Sequence, residues 1–550
     1  MTATVAAPAG TRLARRPAKD GLAGLGDMNR LFWRRNRVRL VVWAVFVIGM
    51  VGYVISYYQT IFTTQSSLDD FANISNTPGI KALTGLAANP ATMGGAVWTK
   101  IWMFVVIALA IGAVFLVTRN GRADEELGRT ELLRSRVLGL HAHSVSAWLW
   151  VAGLCVVGGV GAALVSIGMG LDPSGAGVTG SLVFGASIAG VGLFGLGVGA
   201  LAGQITSTSR GANALGSVII IAFYVLRMVG DLGNGTLTWA SPIGWGQQMQ
   251  PWGADRWWPL LLLVAVTAVL LAAAWQLEAH RDHGAGLLPD RPGPASAPVR
   301  YASPLGLTLR LQRWVITGFA IGVVLCALLF ASIINAMVPL LKDADGTAMG
   351  NVIGGTSAEA FGSFLMGMIA LVVAIFAVLS ATSLRSDEAS GIIEPQLAGA
   401  TSRLTWSLQR LVLPAVGSAV LLAVGGFLFG ATYASVMNDP GATGRFVGAA
   451  LVYWPAIMVL VGVAVLLFGW VPRLAIPLAW GVVVAIYMVM IVGDALRLPD
   501  WLLNILPWSA TPRLPAEPMS WTPVVIMTIV GVAFTAVGLL RFRSRDIQPA

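Results

Sequence analysis

The sequence predicts an all-α protein that crosses a membrane many times, and three observations lead to this fold class. Of its 550 residues, 56% are hydrophobic and only 11% are charged, and the mean hydropathy is +0.77. A soluble globular chain carries roughly a quarter charged residues. Apolar runs of about 20 residues recur along the chain, and one helix needs about this length to cross the hydrocarbon core of a bilayer. A soluble enzyme is therefore excluded.

Twelve of these runs are predicted to be transmembrane helices, at 38–60, 99–118, 144–169, 178–205, 213–230, 256–276, 313–338, 359–383, 411–435, 446–470, 474–494 and 523–542. With this layout, 27 of the 35 Lys and Arg residues lie in or beside the segments on one side. Because cytoplasmic loops are enriched in Lys and Arg, we predict that both termini are cytoplasmic. Arg exceeds Lys by 31 to 4, which is typical of GC-rich bacterial genomes and favours a bacterial plasma membrane.

Four domains are predicted: a disordered cytoplasmic tail (1–27), a first six-span unit (28–276), a linker rich in Pro, Gly and Ala (277–304) and a second six-span unit (305–550). The stretch 28–37 places Met28, Leu31 and Phe32 among four arginines, a pattern that suits an amphipathic helix in the membrane interface. A weaker counterpart at 307–311 precedes the seventh span. Simple positive flanking of the first span is the alternative interpretation.

The chain contains an internal repeat with an offset of 263 residues. The shared pattern R-x-D-E-x-x-G-x-x-E occupies residues 122–131, the first acidic segment, and 385–394, the second acidic segment. Charged and aromatic residues are rare here, so their coincidence indicates a duplicated six-span unit. An even number of spans gives both units the same orientation, with a transport path expected between them. The matched pairs are Arg122 and Arg385, Asp124 and Asp387, Glu125 and Glu388, Gly128 and Gly391, Glu131 and Glu394, Tyr224 and Tyr487, Asp231 and Asp494, and Trp245 and Trp508.

Both acidic segments fall in the loop after the second span of their unit, which is predicted to be cytoplasmic. On one continuous helix, Asp124, Gly128 and Glu131 would share a side, three and four residues apart. Charged loops also cap and solvate helix ends, but this role does not explain the repeated spacing. We therefore predict docking of a soluble, twofold-symmetric partner on the two segments.

The chain itself lacks the elements of an ATPase. A phosphate-binding P-loop ends in Gly-Lys-Ser or Gly-Lys-Thr, whereas the four lysines (Lys19, Lys81, Lys100 and Lys342) follow Ala, Ile, Thr and Leu. The basic residues form no continuous face, so no nucleic-acid partner is predicted. The histidine pair His141 and His143 has no Cys or further ligand nearby, so no metal site is predicted.

In layout and motif the chain resembles the permeases of ABC-2 type exporters, and more closely the duplicated twelve-span permeases of polyketide antibiotic export, whose namesake is the tetronasin efflux permease. The motif D-E-x-x-G-x-x-E at 124–131 and 387–394 carries the resemblance. It implies export of hydrophobic or amphipathic compounds such as drugs, antibiotics or lipids. It also implies two copies of a separate ATP-binding subunit, which would hold the ATP and Mg²⁺.

The resemblance further implies that the acidic segments couple the permease to those ATPase subunits, through Asp124, Glu125, Gly128, Glu131, Asp387, Glu388, Gly391 and Glu394. The second segment departs from the first: Pro395 follows its last glutamate, and Ala389, Ser390 and Ile392 replace Glu126, Leu127 and Arg129. We expect its docking to be weaker or differently shaped.

Two other functions stay open at this point. A major-facilitator-type secondary transporter also has two parallel six-span halves, but its loop motif needs a cation where Glu125 stands, and the ionisable groups here lie at span ends. An integral membrane enzyme acting on lipids would need acid–base residues clustered at one interface, and only residues 124–131 qualify.

A last candidate site lies at the outer end of the fifth span. Arg227 and Asp231 are four residues apart and can pair on one helix face, beside Tyr224. We favour a capping pair whose side chains reach into the outer interface; the alternative is a polar element at the exit of the pathway. Tyr487 and Asp494 are the repeated positions, whereas Met490 replaces Arg227.

Overall fold

A computed structural model describes residues 20–76, 78–85, 87–134, 138–171, 178–282, 284–287, 296, 298, 301, 303–342, 358–399, 401–492 and 506–548. Among the predicted site residues, Asp494 and the side chain of Tyr487 lie outside the described part. Most of the predicted tail and much of the predicted linker also lie outside it. In the described ranges the chain forms helices and connecting turns without any β-strand.

The chain divides into two compact units, Met1–Pro292 and Gly293–Ala550. The long helices of the first unit are helix 1 (Leu25–Ile61), helix 2 (Met103–Arg119), helix 3 (Ala142–Gly168), helix 4 (Thr179–Ile205), helix 5 (Ser209–Leu232) and helix 6 (Trp258–His280). Helix 2 continues from the α-helix Met93–Val97 through a π-helical turn, Trp98–Trp102. Shorter helices are Gln65–Ser75, Pro78–Thr84, Arg122–Glu126, Arg129–Arg134, Thr236–Trp239 and Pro242–Gln248.

The second unit contains helix 7 (Pro304–Lys342), helix 8 (Ala358–Ala389), helix 9 (Ser418–Met437), helix 10 (Trp454–Trp470), helix 11 (Ala475–Val492) and helix 12 (Trp521–Ser544). Helix 9 is preceded by the amphipathic helix Arg403–Val412 and a π-helical turn at Leu413–Gly417, which contains Pro414. The helix Ala442–Leu451 ends just before helix 10, whose second residue is Pro455. A short helix, Ile393–Leu397, follows helix 8.

Eleven of the described helices are long and apolar enough to cross a membrane, and the apolar part of helix 11, Ala475–Ile486, is shorter. The predicted class, an all-α protein with many membrane-spanning helices, is confirmed. The count of twelve spans stays a prediction.

Helix 1 contains the stretch 28–37, which was predicted to be an amphipathic helix in the membrane interface. The stretch 28–37 is the first part of one continuous helix of 37 residues, about 55 Å long. Met28, Phe32, Asn36 and Leu40 form its buried stripe at every fourth position, and helix 1 packs against helix 3. Helix 7, with 39 residues, likewise includes the stretch 307–311. Both helices exceed the roughly 30 Å of a bilayer core.

Small residues set the distance between helix 10 and helix 12. A Cβ atom at Gly469 would lie 2.3 Å from the carbonyl oxygen of Gly538, and one at Gly538 would lie 2.4 Å from the carbonyl oxygen of Val465. No larger side chain fits at either position, so the two backbones are in direct contact, as is common in membrane proteins. This packing fixes helix 12 against helix 10.

Candidate functional site

A left-handed glycine breaks each acidic segment into two helical pieces. Gly128 has φ +69° and separates Arg122–Glu126 from Arg129–Arg134. Gly391 has φ +72° and separates helix 8 from Ile393–Leu397. Glycine adopts this backbone conformation without the steric cost that other residues meet. The expectation that Asp124, Gly128 and Glu131 share one side of a continuous helix was therefore wrong.

Glu125 lies at the centre of a buried cluster that we call the first clamp: Arg122, Glu125, Arg281 and Gly284. Arg281 donates through Nη1 to Oε1 at 2.8 Å and through Nη2 to Oε2 at 2.5 Å. Arg122 Nη1 donates to Oε2 at 3.0 Å, and the backbone N–H of Gly284 donates to Oε1 at 2.8 Å. The carboxylate is thus held on several sides by residues of its own chain.

Glu388 lies at the centre of a matching cluster, the second clamp: Arg385, Glu388, Arg545 and Gln548. Arg545 donates through Nη1 to Oε1 at 2.5 Å and through Nη2 to Oε2 at 2.8 Å. Arg385 Nη1 donates to Oε2 at 3.0 Å, and the backbone N–H of Gln548 donates to Oε1 at 3.0 Å. The side chain of Glu388 is fully buried. The two clamps therefore share their donor types and their geometry.

The second arginine of each clamp was missed by the sequence analysis. Arg281 and Arg545 are 264 residues apart, so the offset of 263 that aligns the acidic segments does not pair them. Each follows the last long helix of its unit at a distance of one residue. A search that allowed one inserted residue would have paired them.

The aspartates that precede the clamped glutamates have different partners in the two units. Asp124 is buried and accepts from Arg35 at 2.5 and 2.8 Å and from Arg129 at 3.1 Å, and His143 Nε2 lies 3.6 Å from its Oδ2. Asp387 pairs with Arg410, which belongs to the helix before helix 9. The first acidic segment is thereby tied to helix 1, whereas the second is tied to the helix Arg403–Val412.

In each acidic segment, the exposed acidic and large apolar side chains follow the clamped glutamate. In the first segment, Glu131 is exposed, Leu127 is 62% exposed, and the adjacent Leu132 is 76% exposed. In the second segment, Glu394 is exposed and Ile392 is 41% exposed. We call these five residues the exposed edges. Of the charged residues predicted to couple, Glu131 and Glu394 are therefore accessible, whereas Glu125 and Glu388 are engaged inside the chain.

The first unit carries a further buried polar cluster beside its clamp. Glu278 of helix 6 lies 2.9 Å from His141 Nδ1 and accepts from Ser144 Oγ at 2.6 Å, while His141 stacks on Trp275 at 3.8 Å between ring centroids. A cavity of about 30 Å³, room for about one water molecule, separates this cluster from the first clamp. No group of three or more His, Cys, Asp and Glu residues suited to a metal occurs within the described ranges.

Arg227 and Asp231, which were predicted at the outer end of the fifth span, are buried, and this corrects the favoured interpretation of a pair reaching into the interface. Arg227 Nη1 donates to Asp231 at 2.8 Å, and both side chains are at most 1% exposed. Arg227 Nη2 and the hydroxyl of Tyr224 each donate to the carbonyl oxygen of Leu83 at 3.0 Å. Asp231 also accepts from Gln247 of the segment that follows helix 5. The pair thus fastens the segments that contain Leu83 and Gln247 to helix 5.

These observations define a multi-pass, all-α membrane protein in which each of two units closes a buried ion-pair cluster around an acidic loop. Comparison with known proteins specifies the family. The model of the family "Multidrug efflux system permease Rv1217c, C-terminal domain" matches residues 301–543. The multidrug efflux system permease protein Rv1217c of Mycobacterium tuberculosis (strain ATCC 25618 / H37Rv) is 34% identical over 559 residues, covering 100% of both chains. The chain belongs to this family of multidrug efflux system permeases.

Proposed function

We propose that this chain is the transmembrane subunit of an ATP-binding-cassette exporter that moves hydrophobic or amphipathic compounds, including drugs, out of the cell. Two copies of a separate ATPase subunit power the transport by docking on the two acidic segments. Family membership supports the efflux function, and the absence of a Gly-Lys-Ser or Gly-Lys-Thr sequence supports a separate source of energy.

The observation that carries this proposal is the occurrence of the same clamped glutamate in both units. A solvated loop needs no such construction, because its charges are already hydrated. A loop that must present the same small surface to two copies of one partner does need a fixed backbone. Both clamps lie directly before an exposed edge, whose residues follow the clamped glutamate by two to seven positions along the chain.

The exposed edges, rather than the clamped glutamates, form the docking surface. Leu127 and Leu132 are large apolar side chains that stand in solvent next to Glu131, and Ile392 stands close to Glu394. Apolar anchors surrounded by charges are typical of small protein interfaces. The resemblance implied direct contact of Glu125 and Glu388 with the ATPase, but their burial does not favour this role.

The test combines binding and transport. The variants Leu132→Asp and Ile392→Asp are expected to lose pull-down of a P-loop ATPase from the same genome and to lose drug efflux from cells, because a carboxylate replaces an apolar contact. Leu287→Asp is the matched control, since Leu287 is an exposed leucine outside the edges (58%). Full binding and efflux in both edge variants would contradict docking at these segments.

A further inference from the structure

We propose that Arg281 and Arg545 are positioning residues: the short segment after the last helix of each unit locks the acidic segment in the shape that its partner binds. This inference rests on the proposed function, because it concerns the same docking segments. It adds that residues 281–285 and 545–548 are parts of the coupling elements, although they lie at least 150 residues from the acidic segments in sequence.

In each unit, hydrogen bonds are donated in both directions between the acidic segment and the segment after the last helix. In the second unit, Glu388 accepts from the guanidinium of Arg545 and the N–H of Gln548, while Arg385 Nη1 donates back to the carbonyl oxygen of Gln548 at 2.6 Å. In the first unit, Arg122 Nη2 donates back to the carbonyl oxygen of Gly284 at 2.7 Å. In each unit, the acidic segment and the segment after the last helix both donate and accept hydrogen bonds. Neither segment can therefore shift along the other without breaking several of these bonds.

Each clamp also reaches a third helix. Arg545 Nη2 donates to the carbonyl oxygen of Phe468 in helix 10 at 3.1 Å, and its guanidinium lies 4.9 Å from the ring centroid of Phe468. In the first unit, Arg281 Nε donates to Gln204 Oε1 in helix 4 at 2.6 Å. Gln204 and Phe468 are 264 residues apart, the same separation as that of the two arginines. One arginine therefore joins the ends of three elements in each unit.

Burial makes these contacts obligatory for the local structure. Arg545 and Glu388 have 7% and 0% of their side chains exposed, and Arg281 and Glu125 have 12% and 7%. A carboxylate that loses its bidentate partner in such a place keeps a single guanidinium contact, from Arg385 or Arg122, and the remaining cost of burying its charge favours exposing it to water. Exposure of Glu388 requires the last turn of helix 8 to move, and Gly391, Ile392 and Glu394 move with it.

The exposed edge of the second unit therefore depends on Arg545, which is not part of that edge. Ile392 and Glu394 follow Glu388 by four and six residues. Gly391, which lies between Glu388 and Ile392, allows the backbone to reorient once the clamp opens. The same relationship links Arg281 to Leu127 and Glu131 in the first unit. We infer that loss of either arginine uncouples ATP hydrolysis from export while the unit stays folded.

The experiment compares Arg545→Ala with Arg543→Ala in the full-length permease. Arg543 is an exposed arginine in the last turn of helix 12 and has no place in the clamp, so it is the matched control. Amide hydrogen exchange in residues 385–399 is measured on the purified permease without any partner. We expect exchange about tenfold faster or more in Arg545→Ala and unchanged exchange in Arg543→Ala.

Two milder variants keep the proposal testable if Arg545→Ala does not fold. Arg545→Lys keeps the charge but cannot donate in a bidentate fork. Gln548→Pro removes the N–H donor to Glu388 and keeps the backbone carbonyl that accepts from Arg385. Both should give intermediate exchange and reduced drug efflux at normal expression. Wild-type exchange in every clamp variant would overturn the lock.

The coupling arm uses the same variants reconstituted with the ATPase subunit. We expect drug transported per ATP hydrolysed to fall in Arg545→Ala and Arg545→Lys, with the ATPase still active. Faster exchange together with wild-type transport per ATP would reject the positioning role. If the wild-type permease neither binds nor responds to the ATPase, the proposed function fails, while the exchange arm still decides whether the lock exists.

Discussion

Arg281 donates two hydrogen bonds to Glu125, one from each terminal amino group of its guanidinium, at 2.8 and 2.5 Å. The two residues lie in different segments, one after helix 6 and the other after helix 2. This pairing changes the interpretation of the acidic motif, because the residue that looks most like a docking charge is already engaged inside the chain. It also leads to predictions that separate internal from external roles.

Glu125→Gln is expected to destabilise the permease more than Glu131→Gln. The first change leaves Arg122 and Arg281 buried beside a neutral amide, and breaking a buried ion pair by removing one partner typically costs about 3 to 5 kcal/mol. Glu131 is exposed, and the loss of an exposed charge typically costs less than about 1 kcal/mol. Thermal unfolding in detergent measures the difference, and equal midpoints for the two variants would contradict the burial argument.

Arg227→Ala is expected to release the segment 78–85 from helix 5. The change removes the donor to the carbonyl oxygen of Leu83 and leaves Asp231 buried without its ion-pair partner. Limited proteolysis should then cut within 78–85, where the wild-type protein resists. Arg256→Ala serves as the control, because Arg256 is an exposed arginine in an outer segment. Resistance equal to wild type in Arg227→Ala would show that other contacts hold this segment.

The purified permease is expected to hydrolyse no ATP by itself. None of its four lysines stands in a Gly-Lys-Ser or Gly-Lys-Thr sequence. Phosphate release should be at background level for the permease alone and should rise when the ATPase subunit is added. ATP hydrolysis by a preparation shown by mass spectrometry to contain only the permease would refute a separate ATPase.

Thiol labelling in whole cells should place the exposed edges inside the cell. In a background without Cys155 and Cys326, a cysteine at Leu132 or Ile392 should react with a permeant maleimide and not with an impermeant one. The reason is that the predicted twelve-span layout places 27 of the 35 Lys and Arg residues on the same side as these loops. Labelling of either position by the impermeant reagent would reverse the predicted orientation.

The sequence predicted the fold class, because long apolar runs are directly visible in it. It also predicted where the acidic segments lie along the chain, because rare residues recur at a fixed offset. It did not predict which charges are buried. Glu125 and Glu131 are equivalent in a motif, and their different exposure depends on Arg281, which lies 156 residues away from Glu125. Periodicity carries no information about such distant pairs.

The sequence pattern also did not predict where a helix breaks and where it continues. Gly128 fits a helical spacing, yet its left-handed conformation ends the helix, which only the surrounding contacts decide. The polar stretch 28–37 suggested an interfacial helix, although helical hydrogen bonding continues unbroken into the first span. At the outer end, Arg227 and Asp231 were paired correctly from their spacing, but their burial depends on segments that pack over them.

Because helix 1 is long, a tilt at its contact with the first acidic segment would move its far end by several ångströms. Arg35 holds Asp124 near one end of a helix that continues for about 40 Å to Ile61. A rigid rod of that length that tilts by about 10° at Arg35 displaces its far end by roughly 7 Å. A displacement of the loop that tilted helix 1 as a rigid body would therefore be larger at Ile61 than at Arg35.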